Sequence, residues 1–418
     1  MSILTDRRIS GNGNVSVLWA DKTLVSSISL FYVTLFLFYS WFPLNAAPIL
    51  LSLGLYFPYL LAGNVKVPAR HLGALLFLIL FSLWACSYLV IETGAAAVAS
   101  MIFVFFVSLP LLFVVVVRIH EAGEEEFIAK VFLAFLIWQS VVVLWQIVGR
   151  VSSIGFDPAS HYGGELPENY ALMLTGTYYN SNDLAATVGA IFAFFILLKG
   201  RFPRLSCWAA VLCLFLAFST ASRAVLLFIV LSALYYAFSR SFLRGLLIAV
   251  GGAGLSILVF FALAYFFQDL GFVARILDRV SSIVQILTEG VYSDNSMALR
   301  LVSYLQFLNN LDSLGWGSFK LKDYHVFVES LGPRFDLMAV NPHSFIVEIG
   351  YWLGWFGLTL WALFLAMMVS GNIGRVVYAL FSFLVLSMVS SSILNNFMFF
   401  TAVFAFLVYS TQKSSANA

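Results

Sequence analysis

Charged side chains are scarce in this chain. Of its 418 residues, 10% are Asp, Glu, Lys or Arg, whereas 62% are hydrophobic and the mean hydropathy is +0.97. Soluble globular proteins are about a quarter charged and about half apolar, so this composition excludes a soluble enzyme, a disordered protein and a nucleic-acid-binding protein. Because about 20 apolar residues cross a bilayer once, the chain is long enough for about twelve crossings and one or two sizeable loops.

Cysteine and metal-binding patterns are also scarce. The three cysteines, Cys86, Cys207 and Cys213, all lie in apolar runs, and three cannot all pair. We therefore expect small core or lipid-facing residues rather than a disulfide framework or a zinc site. The sequence contains no Asp-x-Asp pair, Walker loop or dinucleotide fingerprint, and we expect neither a metal nor a cofactor.

Twelve apolar runs predict an all-α polytopic membrane protein with about 12 transmembrane helices. The backbone of a lipid-embedded segment must satisfy its own hydrogen bonds, which favours helices. The first run follows a polar N-terminal tail, 1–22, and is too long for a signal-peptide core, so we interpret it as an uncleaved helix. The runs span residues 23–44, 46–63, 72–91, 95–117, 127–148, 183–198, 205–219, 224–239, 245–268, 344–370, 376–391 and 396–411.

The basic residues predict the orientation. With the N-terminus inside, fourteen Lys and Arg residues lie on the cytoplasmic side and eight on the other, and six of those eight belong to one long loop that the positive-inside rule does not count. We expect both termini in the cytoplasm, spans 1–9 in residues 23–268, spans 10–12 in 342–411, and a tail at 412–418. Two long loops then face the periplasm: 150–182, and 269–341, whose apolar periodic stretches predict helices near the membrane surface.

The segment that opens the tenth span combines a histidine with small residues. Asn341 is a favoured helix N-cap and Pro342 is favoured at the first helical position, so His343 is predicted in the first turn. The helix dipole disfavours a protonated imidazole there, and a neutral imidazole facing a cavity is suited to act as a general base. A hydrogen-bonded interfacial histidine explains this position equally well. Small residues that allow close approach follow on the same face: Gly350, Gly354 and Gly357.

Two arginines at the predicted outer edge are candidates for binding an anion. Arg223 follows the turn Ser219-Thr220-Ala221-Ser222, whose hydroxyls are predicted to cap the eighth span, and helix amides beside a guanidinium suit a phosphate. Arg300 precedes an apolar periodic helix and the flexible turn Leu314-Gly315-Trp316-Gly317. The alternatives are that Arg223 reaches lipid headgroups and that Arg300 forms a salt bridge, for example to Asp294.

Residues 175–183, Thr-Gly-Thr-Tyr-Tyr-Asn-Ser-Asn-Asp, lead into the sixth span. Asn182 or Asp183 is expected to cap that helix. Tyr178 and Tyr179 either line a sugar site or belong to the aromatic belt at the membrane surface. Polar residues in this segment and around His343 are therefore the candidates for substrate binding: Tyr178, Asn180, Asn182, Asn341, Ser344 and Glu348.

Four motifs in this order resemble the bacterial O-antigen ligase and Wzy-type polysaccharide polymerase superfamily. They are Thr175-Gly176-Thr177 through Asn182-Asp183-Leu184-Ala185, Thr220-Ala221-Ser222-Arg223, Asp294 to Arg300 with Leu314-Gly315-Trp316-Gly317-Ser318-Phe319, and Asn341-Pro342-His343-Ser344 with Glu348, Gly350, Gly354 and Gly357. The resemblance covers residues 170–370. Ser344 stands where the family often has Asn, and Asn341 stands where some ligases have a second His.

The resemblance implies a glycosyltransferase of the bacterial inner membrane with its active site facing the periplasm. The donor would be a glycan on undecaprenyl diphosphate and the acceptor another glycan or lipid A–core, with inversion at the anomeric centre and no metal. His343 would be the catalytic base, and Arg223 and Arg300 would bind the diphosphate. Ligase and polymerase are not separated by the sequence, although the loop 269–341 has six basic and eight acidic residues, a balance of −2 that slightly favours a polymerase.

Two other classes of function are compatible with the composition. A flippase or transporter of lipid-linked sugars would perform no covalent chemistry and would need ionisable side chains deep in its spans. The spans have almost none, and the exception, Glu348, is predicted about two turns from the outer edge of its helix. A membrane scaffold would not need His343, Arg223 and Arg300 on one face.

Overall fold

The computed structural model describes residues 12–38, 42–91, 96–149, 174–178, 180–198, 201–238, 265, 281, 285, 288–290, 295–317, 344–369, 373–389 and 396–411. Within these ranges the regular structure is helical, without a β-strand. The α-helices are α1 (Asn12–Leu37), α2 (Phe42–Leu61), α3 (Ala69–Ile91), α4 (Ala96–Glu121), α5 (Glu125–Gly149), α6 (Ser181–Leu197), α7 (Pro203–Ser219), α8 (Arg223–Phe238), α9 (Asn295–Asn309), α10 (Phe345–Met367), α11 (Ile373–Ser387) and α12 (Phe397–Ser410).

Six of these helices, α1 to α5 and α10, are long and apolar enough to cross a membrane. Five further apolar helices are shorter, namely α6, α7, α8, α11 and α12, and each overlaps a predicted span. The predicted span 245–268 lies outside the described residues apart from Tyr265. The all-helical fold is thus confirmed for the described part of the chain, whereas the number of spans stays a prediction.

The first helix begins at Asn12, whereas the apolar run begins at Thr23. Asp21 therefore lies inside the helix, where its carboxylate is fully buried. Arg118 Nε donates to this carboxylate at 2.8 Å and the Tyr56 hydroxyl donates to it at 2.7 Å. A buried charge is tolerated when it is paired and hydrogen-bonded. Its partners lie on α4 and α2, so hydropathy along α1 alone places the start of the helix too late.

Charged side chains gather at one end of the bundle, which we call the ionic end. Beside the Asp21–Arg118 pair, Glu125 at the start of α5 lies 3.2 Å from Arg201 Nη1 and 3.1 Å from His120 Nδ1. The other ion pairs described at this end are Lys22–Glu124, Arg70–Glu121 and Lys130–Glu126. Every Lys and Arg in these pairs belongs to the set predicted on the cytoplasmic side. The side of the membrane itself stays a prediction.

The opposite end of the bundle holds buried amides, and we call it the amide end. α12 begins there with Asn396 as its N-cap. Asn396 Oδ1 accepts hydrogen bonds from the hydroxyls of Tyr32 at 2.9 Å and Tyr178 at 3.3 Å, and Asn396 Nδ2 donates to Thr187 Oγ1 at 2.9 Å. These contacts join α1, α6 and α12. Between the two ends the core is aromatic, with the rings of Phe113, Phe364 and Phe404 packed edge to face.

The predicted loop 269–341 contains α9, which overlaps the apolar stretch 299–311. α9 is amphipathic, because it buries Val302, Ser303 and Phe307 while Leu305 and Leu308 are exposed. Its buried face packs on α10. The membrane side of this loop, and of the loop 150–182, stays a prediction.

Candidate functional site

The predicted base, His343, adjoins the start of α10 in sequence. α10 begins at Phe345, and Ser344 is its N-cap, with a buried hydroxyl that accepts a hydrogen bond from the Val347 N–H at 3.5 Å. The prediction that Asn341 caps this helix is therefore wrong. Ser344 provides the extended backbone and the short oxygen-bearing side chain that a cap requires. Asn341 and His343 lie outside the described residues.

Glu348 is a fully buried carboxylate in the first turn of α10. It lies four residues after the Ser344 cap, so it is about one turn from the end of the helix rather than two. The backbone N–H groups of a first helical turn point towards such a side chain and favour its negative charge. The burial shows that Glu348 faces protein rather than the surroundings of the bundle.

The helix that carries Arg300 packs on the same part of α10. The Arg300 side chain is half-buried. Burial raises the pKa of the Tyr304 phenol, and the charge of Arg300, four residues earlier on α9, opposes this rise. The Phe307 ring meets the Tyr351 ring edge to face at 5.3 Å. A small apolar cluster, separate from the main core, results: Phe307, Leu314, Val347 and Tyr351.

The glycines of the two predicted motifs meet in the structure. The backbone N–H of Trp355 on α10 donates to the carbonyl of Gly315 at 3.0 Å, which joins the 314–317 turn to Gly354. A side chain at Gly350 would overlap the Phe307 ring of α9. The sequence thus predicted close packing correctly at Gly350 and Gly354. Their neighbours are α9 and the 314–317 turn, respectively, both within the predicted loop. Gly357 instead faces Leu353 of its own helix.

α8 begins at Arg223, as predicted. The expectation that the preceding hydroxyls cap α8 is wrong for two of them. Ser219 Oγ donates to the Phe215 carbonyl at 2.8 Å and Thr220 Oγ1 donates to the Ala217 carbonyl at 3.1 Å, both within α7. Hydroxyls near a helix end readily bond back to the carbonyls three or four residues earlier, and here they complete the end of α7.

The turn between α7 and α8 is strained. Ala221 has φ 51°, and it is the one non-glycine residue with positive φ in the described part of the chain. A residue with a β-carbon in this conformation costs about 1–3 kcal/mol and persists where its surroundings fix the backbone. Ala221 and Ser222 are both buried. The sharp turn places Arg223 at the amide end, since α7 starts just after Arg201 at the ionic end.

Two glutamines of α5 hold the Thr175-Gly176-Thr177 segment. Gln139 Nε2 donates to Thr177 Oγ1 at 2.7 Å, and Gln139 Oε1 accepts from the Thr177 N–H at 3.0 Å. Gln146 Oε1 accepts from the N–H groups of Thr175 at 3.1 Å and Gly176 at 3.0 Å. Sequence reasoning missed both glutamines. The available signal was their seven-residue spacing, which puts two amides on one face of an otherwise apolar helix.

The other residues of this segment that were predicted to bind substrate lie at or near the start of α6. The Tyr178 hydroxyl is buried and lies 3.2 Å from Thr187 Oγ1, besides its bond to Asn396. Asn180 is the N-cap of α6, and its side chain accepts from the Asn182 N–H at 2.9 Å. The prediction that Asn182 or Asp183 is the cap is therefore wrong. Both lie in the first turn of α6, where Asn182 is half-buried and Asp183 is buried.

The described contacts arrange the candidate residues in two groups at the amide end. α9, with Arg300, packs on α10, and the Phe345 ring of α10 lies 5.4 Å from the Phe400 ring in the first turn of α12. α8, with Arg223, packs on α6. α11 contacts α6, α8 and α10 and so lies between the groups. In the part of the chain that the structure describes, no three His, Cys, Asp or Glu residues cluster as metal ligands.

Part of the chain matches a known protein family. The family model described as O-antigen ligase, Wzy_C, matches residues 208–362. No curated protein and no solved structure matches the chain. The matched segment contains Arg223, Arg300, His343 and Glu348, and the apolar helices together with this family indicate a multi-pass membrane protein. The match over residues 208–362 supports the resemblance of this chain to the O-antigen ligase and Wzy-type polymerase superfamily.

Proposed function

We propose that this protein transfers a glycan from undecaprenyl diphosphate to an acceptor glycan at the periplasmic face of the bacterial inner membrane. The observation that carries the proposal is the family match, because residues 208–362 include both arginines and the histidine that the motifs singled out. The packing supports it, since the Arg300 helix rests on the first turns of α10, next in sequence to His343.

The proposed reaction is a direct displacement. The acceptor hydroxyl oxygen forms a bond to the anomeric carbon of the donor sugar, the bond from that carbon to the phosphate oxygen breaks, and the anomeric centre inverts. His343 accepts the proton of the acceptor hydroxyl, a contribution worth roughly 10²–10⁴ in rate. Undecaprenyl diphosphate leaves with the bonding electrons.

Arg223 and Arg300 have the role of binding the diphosphate and stabilising its growing charge. Planar guanidinium groups pair with two phosphate oxygens at once, and an enzyme without a metal depends on such fixed cations. Both side chains are half-buried, so their interactions are screened by water less than those of exposed side chains. Glu348, Ser344 and Asn182 are the polar groups at this end that we propose for contacts to sugar hydroxyls.

The test is a transfer assay with purified protein in nanodiscs and an undecaprenyl-diphosphate-linked repeat, with and without lipid A–core, resolved on a gel. A ladder without lipid A–core identifies a polymerase, and a shift that requires lipid A–core identifies a ligase. Absence of any covalent product from folded protein with suitable substrates contradicts the proposal and favours a flippase.

Three variants test the residue roles in the same assay. We expect His343→Ala to lower the rate by roughly 10²–10⁴, with His325→Ala, in the preceding loop 269–341, as the control. Arg223→Lys and Arg300→Lys keep the charge but lose the planar fork, and we expect about ten- to hundredfold losses. Arg204→Lys, at the exposed start of α7, is their control. Full activity of the His343 variant refutes the role of His343 as the general base. Full activity of both arginine variants means that Arg223 and Arg300 have structural roles.

A further inference from the structure

α10 is broken at Gly354. This residue has φ 65° and ψ −162° inside an otherwise helical segment, a combination that is open essentially to glycine alone. The break separates residues 345–353, which carry Glu348, from the rest of the helix. It also frees a backbone donor and a backbone acceptor that a continuous helix would pair internally.

Groups outside α10 satisfy the freed backbone. The N–H of Trp355 donates to the carbonyl of Gly315 at 3.0 Å. The carbonyl of Leu353 accepts a hydrogen bond from Trp84 Nε1 on α3 at 3.1 Å. Because both bonds come from other elements, the direction of residues 345–353 depends on where the 314–317 turn and α3 lie.

The turn and the break are in contact through their backbones. A β-carbon at Gly317, where φ is +103°, would overlap the carbonyl group of Trp352. A β-carbon at Gly354 would overlap the backbone of residues 315–317. A flexible side chain can move aside, whereas two backbones can relieve such an overlap only by moving apart. The Trp355 indole also donates to the Leu311 carbonyl at 2.7 Å, which ties the segment just before the turn to α10 as well.

The turn also fixes α9, because only Asn310 and a short 3₁₀ helix, Leu311–Ser313, separate it from the end of that helix at Asn309. The Phe307 ring lies against α10 at Gly350, and Arg300 lies seven residues before Phe307. Residues seven apart lie on one face of a helix, about 10 Å apart along its axis. Arg300 is therefore on the face of α9 that packs on residues 345–353. The Gly317–Gly354 contact sets its position along the axis of α10.

We infer that Gly317 and Gly354 are positioning residues of the transfer reaction. Their backbone contact sets the distance between Arg300 and the α10 segment that begins at Ser344 and carries Glu348. This inference rests on the proposed function, and it names the residues that align Arg300 with the α10 segment 345–353. A displacement of about 1 Å at a reacting group can lower a rate by about a hundredfold, so a methyl group between these backbones should impair turnover.

The chain offers matched controls for the two glycines. Gly317→Ala is compared with Gly290→Ala, which lies in the same loop at φ +93° with no neighbouring atom within 4 Å. Gly354→Ala is compared with Gly63→Ala, which has the same φ of +65° and also faces open space. The two glycines of each pair share a positive φ and differ in the backbone contact. We expect kcat per folded enzyme to fall about ten- to hundredfold in Gly317→Ala and Gly354→Ala, with the donor KM changed less than about threefold and both controls near wild type.

A distance measurement reports on the contact independently of activity. Spin labels at the exposed Leu308 on α9 and at the half-buried Ile346 in the α10 segment before the break are introduced with Cys86, Cys207 and Cys213 replaced by Ser. We expect the electron–electron distance distribution to shift or broaden in Gly317→Ala and to match wild type in Gly290→Ala. An unchanged distribution in Gly317→Ala overturns the inference, as does unchanged kcat despite a shifted distribution.

The two measurements separate this inference from the proposed function. If wild-type protein transfers no glycan to any acceptor, the proposed function fails and the positioning role fails with it, while the distances still show whether the contact aligns α9 with α10. If wild type is active and Gly317→Ala loses kcat with a shifted distance, both stand. If Gly354→Ala does not fold, Gly317→Ala decides the question, because its substitution lies outside α10.

Discussion

At the residue scale, buried amides explain how polar motifs exist in so apolar a protein. Gln139 is fully buried, yet both ends of its amide are paired with Thr177. Asn396 pairs in the same way with Tyr32 and Thr187. A primary amide carries two donors and two acceptor lone pairs, so one side chain can satisfy a loop backbone and a hydroxyl together. Residues 175–177 thereby gain a fixed conformation without a charge.

Replacing Gln139 tests this account. In Gln139→Leu the side-chain volume is similar, but the N–H and hydroxyl of Thr177 lose their partner while buried, and each such group costs about 1–3 kcal/mol. We expect a loss of that order in the free energy of unfolding, measured by denaturation in mixed micelles. Gln285→Leu, at an exposed position, is the control and should stay within about 0.5 kcal/mol of wild type. Equal stability of the two variants would show that the amide is dispensable.

At the element scale, α10 depends on its neighbours as much as on its own sequence. Trp84 of α3 packs against Phe356 with ring centroids 4.9 Å apart, against Trp316 at 5.9 Å, and donates to the Leu353 carbonyl at the break. The Tyr88 hydroxyl donates to the Trp316 carbonyl. A break in a membrane helix is tolerated where surrounding protein supplies the missing hydrogen bonds, and discontinuous helices of this kind often border binding sites in membrane proteins.

Trp84→Phe should destabilise the backbone at the α10 break by removing one hydrogen bond. The variant keeps an aromatic ring and removes the indole N–H, which leaves the Leu353 carbonyl without that donor at a cost of about 1–3 kcal/mol. We expect lower thermal stability of the purified protein and faster proteolysis near α10. Trp208→Phe is the matched control, because Trp208 is 64% exposed. If the two variants melt at the same temperature, the Trp84 hydrogen bond does not support the break.

At the scale of the whole molecule, the charges are divided between the two ends of the bundle. The ionic end pairs its carboxylates with Arg and Lys, whereas the candidate cations Arg223 and Arg300 lie at the amide end, in the two groups on either side of α11. The Asp21–Arg118 pair, whose carboxylate is fully buried and whose guanidinium is half-buried, joins α1 to α4 at the ionic end. Breaking a buried pair leaves an uncompensated charge, which costs more than the pair contributes when intact.

Arg118→Met therefore should destabilise the protein by about 3–5 kcal/mol. Adding Asp21→Asn in the same chain removes the stranded charge and should restore part of this loss. Lys130→Met is the control, since the Lys130–Glu126 pair is exposed and such pairs contribute less than about 1 kcal/mol. Unfolding free energies of these four proteins, wild type included, form the comparison. Failure of Asp21→Asn to recover any stability would contradict the buried-charge explanation.

The sequence by itself determined the helical membrane class, the approximate positions of the described apolar helices and the motif residues that lie within the family match. These follow from hydropathy and motif order, which are properties of short segments. Tertiary structure alone decided the early start of α1, the glutamine support of residues 175–177 and the partners of the α10 break. Each depends on groups far apart in the chain, 97 residues for Asp21 and Arg118, and 269 for Trp84 and Leu353. A buried polar group is stable only when such a partner reaches it, and no local pattern records where that partner will lie.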